Sequence, residues 1–118
     1  IAPLGLGADG QHYNINADTA AGAVASALGV RRLIAVTDVP GILISENGEK
    51  TVVPSISARV IEQLIASGEI YGGMIPKVRA AVQCIRGSVE EAVIVDGAEP
   101  EVLSKALKGH KIGTRIVR

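Results

Sequence analysis

Three groups of residues have the types and spacing to do chemistry: Asn14, Asn16 and Asp18 in the stretch NINAD, Thr37-Asp38 ahead of Val39-Pro40-Gly41, and Gly72-Gly73 just before Lys77. An acid and a base at two helix starts suit phosphoryl transfer, in which positioning and charge neutralisation supply nearly all the catalysis. Lys77 falls in the first turn of a predicted helix, where a cation opposes the macrodipole by a few tenths of a kcal/mol. An anion bound at that helix end reverses the sign. The paired glycines let such an anion approach the backbone amides closely, as phosphates are held. A lysine turned toward water accounts for the position of Lys77 equally well. Asp18 complements a helix dipole without further purpose. Asp38 serves either as a turn former before Pro40-Gly41 or as a nucleotide contact.

Other motifs carry less. Residues 5–10, GLGADG, spell G-x-G-x-x-G after the short apolar run IAPL. A dinucleotide fingerprint needs its last glycine to open a helix. Here Gly10 is followed by the polar segment QHYN, so the stretch reads instead as a hairpin turning at Asp9-Gly10. No G-x-x-x-x-G-K-[ST] is present, so a nucleotide would not be held by a P-loop. His12 and His110 read as surface or turn residues. No spacing of His, Cys, Asp or Glu resembles a structural metal site, so no metal ligand is expected among the side chains. Cys84 falls on an apolar side of a helix and reads as core.

The elements that must position these residues alternate in type. Asn16 is a candidate N-cap for ADTAAGAVASALG, with Val24 and Leu28 four apart on one face and Gly29 as C-cap. RRLIAVTD reads as a parallel strand covered on both sides, and GILISENGEKTVV as a hairpin turning at Asn47-Gly48. Ser55 or Ser57 caps a helix through ARVIEQLIASG, whose apolar stripe is Val60, Ile61, Leu64 and Ile65. MIPKVRAAVQCIRG is a helix with Pro76 in its first turn, where a missing N–H costs nothing. AVIVD is a buried strand, PEVLSKALKG a short helix and GTRIV a last strand. The pattern predicts an α/β fold: a three-layer sandwich with a mainly parallel sheet covered by helices, plus antiparallel hairpins. In such sheets ligands sit beyond the carboxyl ends of the strands, near helix starts, which is where the three groups fall.

Composition bounds the remaining possibilities. The 118 residues make one domain, with 12 Lys plus Arg against 12 Asp plus Glu. No net field steers the chain toward nucleic acid or an anionic membrane. A single cysteine excludes an internal disulfide and fits a reducing compartment, so a cytoplasmic protein is expected. No apolar run is long enough to span a bilayer, and no signal-peptide pattern opens the chain. The first residue is Ile1 in place of Met, which suggests a piece of a longer polypeptide.

Taken in order, YNINADTAAGAVASALG, LIAVTDVPGIL, GGMIPKV and the terminal GTRIV resemble the C-terminal half of the N-acetylglutamate kinases of the amino acid kinase family. The resemblance covers the whole chain, with NINAD and GGMIPKV its most specific parts. It implies that residues 1–118 are a C-terminal nucleotide-binding domain whose N-terminal substrate-binding partner is absent. The implied reaction moves the γ-phosphoryl of ATP, with Mg2+ bridging the phosphates, to the side-chain carboxylate of N-acetyl-L-glutamate in arginine biosynthesis. By motif position Asn14 would contact the acetylated amino acid, with Asn16 beside it in the motif. Asp18 would organise the catalytic lysines, and Lys77 would stabilise the transferring phosphoryl. Thr37, Asp38, Val39, Pro40, Gly41, Ile42 and Leu43, with Ile70, Tyr71, Gly72, Gly73 and Met74, would line the ATP site.

The resemblance also implies that the 118 residues alone would not turn over, since another lysine and the substrate loops lie in the missing half, and that the full-length protein is a homo-oligomer. Lys105 stands where arginine-inhibited members carry an acid, which favours arginine insensitivity. Three alternatives stay open: a relative acting on carrier-linked aminoadipate, glutamate or aspartate, a non-catalytic nucleotide-binding module, and a purely structural α/β interaction domain.

Overall fold

Ala92 through Val95 are all buried, and their side chains alternate between two apolar clusters. Ala92 and Ile94 pack with Ile61, Val78, Val82 and Ile85, whereas Val93 and Val95 pack with Val102. A strand with apolar side chains on both faces needs a helical layer on each side.

The computed structural model describes residues 1–118. In chain order the elements are β1 (Leu4–Leu6), β2 (His12–Asn14), α1 (Ala17–Leu28), β3 (Arg32–Thr37), β4 (Leu43–Glu46), β5 (Glu49–Val52), β6 (Ser55–Ser57), α2 (Ala58–Ala66), α3 (Met74–Arg86), β7 (Glu91–Asp96), α4 (Val102–Leu107) and β8 (Thr114–Val117). The main sheet runs β3-β7-β8-β6. β3 pairs parallel with β7 and β6 parallel with β8, while β7 and β8 are antiparallel. The sheet is therefore mainly parallel, with α1, α2 and α3 on one side and α4 on the other. No helix is long and apolar enough to cross a membrane.

Both expected hairpins form. β1 and β2 pair with Leu4 opposite Asn14, and the intervening turn closes through the N–H of Gly10 donating to the carbonyl of Gly7. No helix follows Gly10; the next one starts at Ala17. β4 and β5 pair with Ser45 opposite Lys50, across a turn in which Asn47 and Gly48 both have positive φ. Such a turn matches the right-handed twist of its two strands.

Three local expectations need correction. β3 is not covered on both faces along its length, since Val36 on it is exposed, and the strand lies at the edge of the sheet. Leu28 does not share a buried face with Val24, being 71% exposed; α1 packs through the small residues Gly22 and Ala25. Size is the reason, because a Cβ at Gly22 would stand 3.1 Å from the Cys84 sulfur. Residues 55–57 form strand β6 as well as the helix entry, which three residues of period-two pattern were too short to signal. Of the two expected candidates, Ser57 caps α2, its Oγ accepting from the Val60 N–H at 3.4 Å. Cys84 is in the core as expected, its sulfur 3.2 Å from the carbonyl of Gly22.

Candidate functional site

The α1 start is complete within the chain. Asn16 Oδ1 accepts from the Thr19 N–H at 3.0 Å and from the Thr19 hydroxyl at 3.2 Å, so the cap satisfies one of the helix's orphan donors. Asp18 lies in the first turn, where its negative charge complements the dipole. Asn14 ends β2, exposed, two residues ahead of the cap. These placements follow from short-range chemistry alone.

The α3 start is different. Gly73 precedes the helix without a side-chain cap, and no acid occupies the first turn. The first N–H bonds there are long: Met74 to the Tyr71 carbonyl at 3.4 Å and Ile75 to that of Gly72 at 3.2 Å. Gly72 needs its glycine, with φ of 59°. Gly73 does not, since its φ of −65° suits any residue and a Cβ there would meet nothing within 4 Å. The absence of a side chain keeps the space before the helix open and its amides approachable.

The two starts meet. Lys77 Nζ stands 3.6 Å from Asp18 Oδ1, both side chains about three-quarters buried at 26% and 25% exposure. Close packing of α1 on α3 through Gly22 and Cys84 brings them together, although 59 positions separate them in the chain. Two opposite charges so placed can act as one device, the carboxylate fixing the direction of the ammonium.

Beside them opens a cleft of about 790 Å³. One wall is the loop leaving β3 and the following hairpin, and the other is the segment from α2 to the first turn of α3. Of the nucleotide-site residues expected from sequence, Asp38, Val39, Gly41, Ile42, Leu43, Ile70, Tyr71, Gly73 and Met74 line this cleft, as does Lys77. Thr37, Pro40 and Gly72 adjoin lining residues in the chain without lining it; Asn14, Asn16 and Asp18 do not line it either, and Asp18 is joined to it through Lys77. The Thr37 hydroxyl donates to Asp38 Oδ1 at 3.0 Å, which orients that carboxylate.

Sequence reasoning missed several lining residues, among them Ser45, Lys50, Ser67 and Glu69. A signal existed for two of them. Ser45 is two positions beyond Leu43, hence on the same strand face, and the Asn47-Gly48 turn fixes Lys50 opposite Ser45. Thr114 was missed as well: fully buried, its Oγ1 accepts from the Ile42 N–H at 2.8 Å and ties the cleft wall to β8. Gly41 passes so close that a Cβ on it would lie 2.6 Å from that same oxygen.

No group of three His, Cys, Asp or Glu side chains converges anywhere in the chain. A divalent cation would therefore draw most of its ligands from a bound phosphate chain rather than from a protein cage.

Comparison with known proteins agrees with this architecture. The chain is 53% identical over 100 residues to acetylglutamate kinase of Granulibacter bethesdensis, an alignment covering 85% of this chain and 33% of that protein. It is 45% identical over 119 residues to acetylglutamate kinase of Methylobacterium nodulans, covering 100% of this chain and 38% of that one. The chain thus spans about a third of the length of these curated relatives. Among solved structures, carbamate kinase from Giardia lamblia bound to AMP-PNP superposes with a TM-score of 0.75 at 27% identity, over 93% of this chain and 39% of that one. N-acetylglutamate synthase from Neisseria gonorrhoeae, complexed with coenzyme A and N-acetyl-glutamate, superposes with a TM-score of 0.85 at 26% identity, covering 98% of this chain and 26% of that one. The model of the amino acid kinase family matches residues 1–96, from the first hairpin through the Asp18–Lys77 pair to the end of β7, and the chain belongs to that family.

Proposed function

We propose that this chain is the nucleotide-binding part of an ATP-dependent kinase that phosphorylates the side-chain carboxylate of N-acetyl-L-glutamate. The observation that carries the reading is the Asp18–Lys77 pair, 3.6 Å apart where two helix starts converge beside the cleft. A carboxylate oxygen of the acceptor attacks the γ-phosphorus, the bond from phosphorus to the β,γ-bridging oxygen breaks, and ADP leaves. Negative charge spreads over the equatorial phosphoryl oxygens during this transfer.

Lys77 supplies a fixed positive charge to those oxygens, already oriented and partly withdrawn from water. Asp18 holds the ammonium in place by charge. The open amides before α3 receive phosphate oxygens, and the apolar wall of Ile42, Leu43, Ile70 and Met74 takes the base. A magnesium ion would be held mainly by the nucleotide's own phosphates and would supply charge neutralisation there. Asn14 and Asn16, in the same NINAD motif as Asp18, are assigned to the acceptor side by motif position. The names of the relatives supply the choice of acceptor, and the remaining substrate contacts belong to the longer protein that those relatives represent. The 118 residues by themselves are expected to bind nucleotide at most weakly and not to turn over.

The deciding experiment traps acyl phosphate as hydroxamate in the full-length protein, with ATP and either N-acetylglutamate, glutamate, aspartate or carbamate. Product with N-acetylglutamate alone supports the reading. Product only with another acceptor keeps the kinase and replaces its substrate, and ATP binding without any product leaves a non-catalytic nucleotide module.

A further inference from the structure

We infer that Lys50 is a further contact for the nucleotide's phosphate chain, made from the wall of the cleft opposite Lys77. The inference rests on the nucleotide reading of the cleft given above. Lys50 lies on β5, paired with Ser45, and both residues line the cleft. Its Nζ donates to the Tyr71 hydroxyl at 3.1 Å and sits 5.6 Å from the centroid of that ring. Tyr71 in turn accepts the Met74 N–H through its carbonyl at 3.4 Å, so it forms the turn that opens α3. Lys50 therefore reaches across the mouth of the cleft to a side chain of the turn that precedes α3.

Charge separates the two lysines of the cleft. Lys77 has Asp18 within 4.0 Å, whereas Lys50 has no carboxylate at that range, although Asp38 and Glu69 also line the cleft. Its present partners are a neutral phenol and a ring face, each a weaker acceptor for an ammonium than an anionic oxygen. A phosphate entering the cleft offers the stronger partner. Lys77 is committed to the transferring phosphoryl, so Lys50 is assigned to the phosphates that stay with the nucleoside. That role predicts an effect on ground-state binding rather than on the chemical step.

The test is calorimetric titration of the full-length protein and its Lys50→Met variant with ATP, ADP and adenosine. Lys50→Met is expected to weaken ATP and ADP binding by roughly three- to thirtyfold, the loss of one charge-assisted contact at a partly solvated site. Adenosine affinity should stay within about twofold, and the salt dependence of ATP binding should flatten. In turnover the same variant raises KM for ATP and leaves kcat nearly unchanged. Equal weakening of all three ligands would mean that Lys50 merely braces the hairpin against Tyr71, and would overturn the assignment. Unchanged affinity for all three overturns it too. A parent protein that binds none of the three refutes the nucleotide reading itself, while tight parent binding with an unaffected variant refutes only the role of Lys50.

Discussion

The two helix starts that meet at the cleft are built on opposite plans. α1 begins with a side-chain cap from Asn16 and an acid of the sign its dipole prefers. α3 begins with no cap, two glycines and a base of the wrong sign. The first start is finished by a side chain; the second is closed only by long backbone bonds from Met74 and Ile75. Helix ends that a chain does not satisfy by itself are satisfied by water or by ligands. The contrast separates a start closed by its own side chain from one whose approach is open, the one that receives an anion in the function proposed above, and Lys77 is the residue through which the two touch.

Removing that link should have the largest effect. Lys77→Met is expected to lower kcat of the full-length protein by roughly 10²–10³-fold, as for loss of a preorganised charge on a developing anion. Circular dichroism should be unchanged. Asp18→Asn should cost nearly as much, and the double variant little more than either single one, because the two residues act as a unit. Additive losses in that cycle would break the idea that the acid works through the base.

Stability measurements sharpen the contrast between the starts. Asn16→Ala removes a working cap and should destabilise the protein by about 1 kcal/mol in urea unfolding. Gly73→Ala should do the reverse, adding roughly 0.4–1 kcal/mol, because φ at that position already suits alanine and the new methyl meets no neighbour. The same substitution should weaken ATP binding, since the methyl occupies the approach to the amides. Gly73→Ala with improved stability and undiminished ATP affinity would show that the open space is not used.

The smallest expected effect concerns the contact that holds the helices together. Burial pushes the Cys84 thiol above its ordinary pKa, the hydrogen bond to Ser26 acting weakly the other way. The folded state thus keeps a neutral thiol where the unfolded chain would ionise. This stabilisation is complete below the ordinary thiol pKa and is lost as pH rises through the raised folded value. Unfolding midpoints should accordingly decline slightly at alkaline pH, and less so in Cys84→Ala. Thiol reagents should label Cys84 only on unfolding.

Much of this molecule could be read from residues in order. The capped start at Asn16, the hairpin at Asn47-Gly48, the proline in the first turn of α3 and the double-sided apolar run of β7 are each dictated within a few positions. Local rules also disposed of the glycine pattern at residues 5–10, because no helix could follow it. Edge position was not legible: β3 and β7 have similar apolar runs, and only strand order leaves one at the margin of the sheet. The buried face of α1 was misread for a related reason. Period and hydrophobicity favoured Leu28, whereas helix-on-helix distance selected Gly22, and that distance belongs to the pair rather than to either sequence.

The sequence by itself determined which side chains stand at helix starts and what charge they bring, since capping and turn chemistry act over three or four residues. Only the tertiary structure decided that Asp18 faces Lys77 and that Lys50 reaches Tyr71, because those separations depend on how closely helices pack and how a hairpin leans over its neighbours. The burial of Thr114 against Ile42 is of the same kind: one hydroxyl, 72 positions away, fixes the wall of a cleft that no local pattern announces.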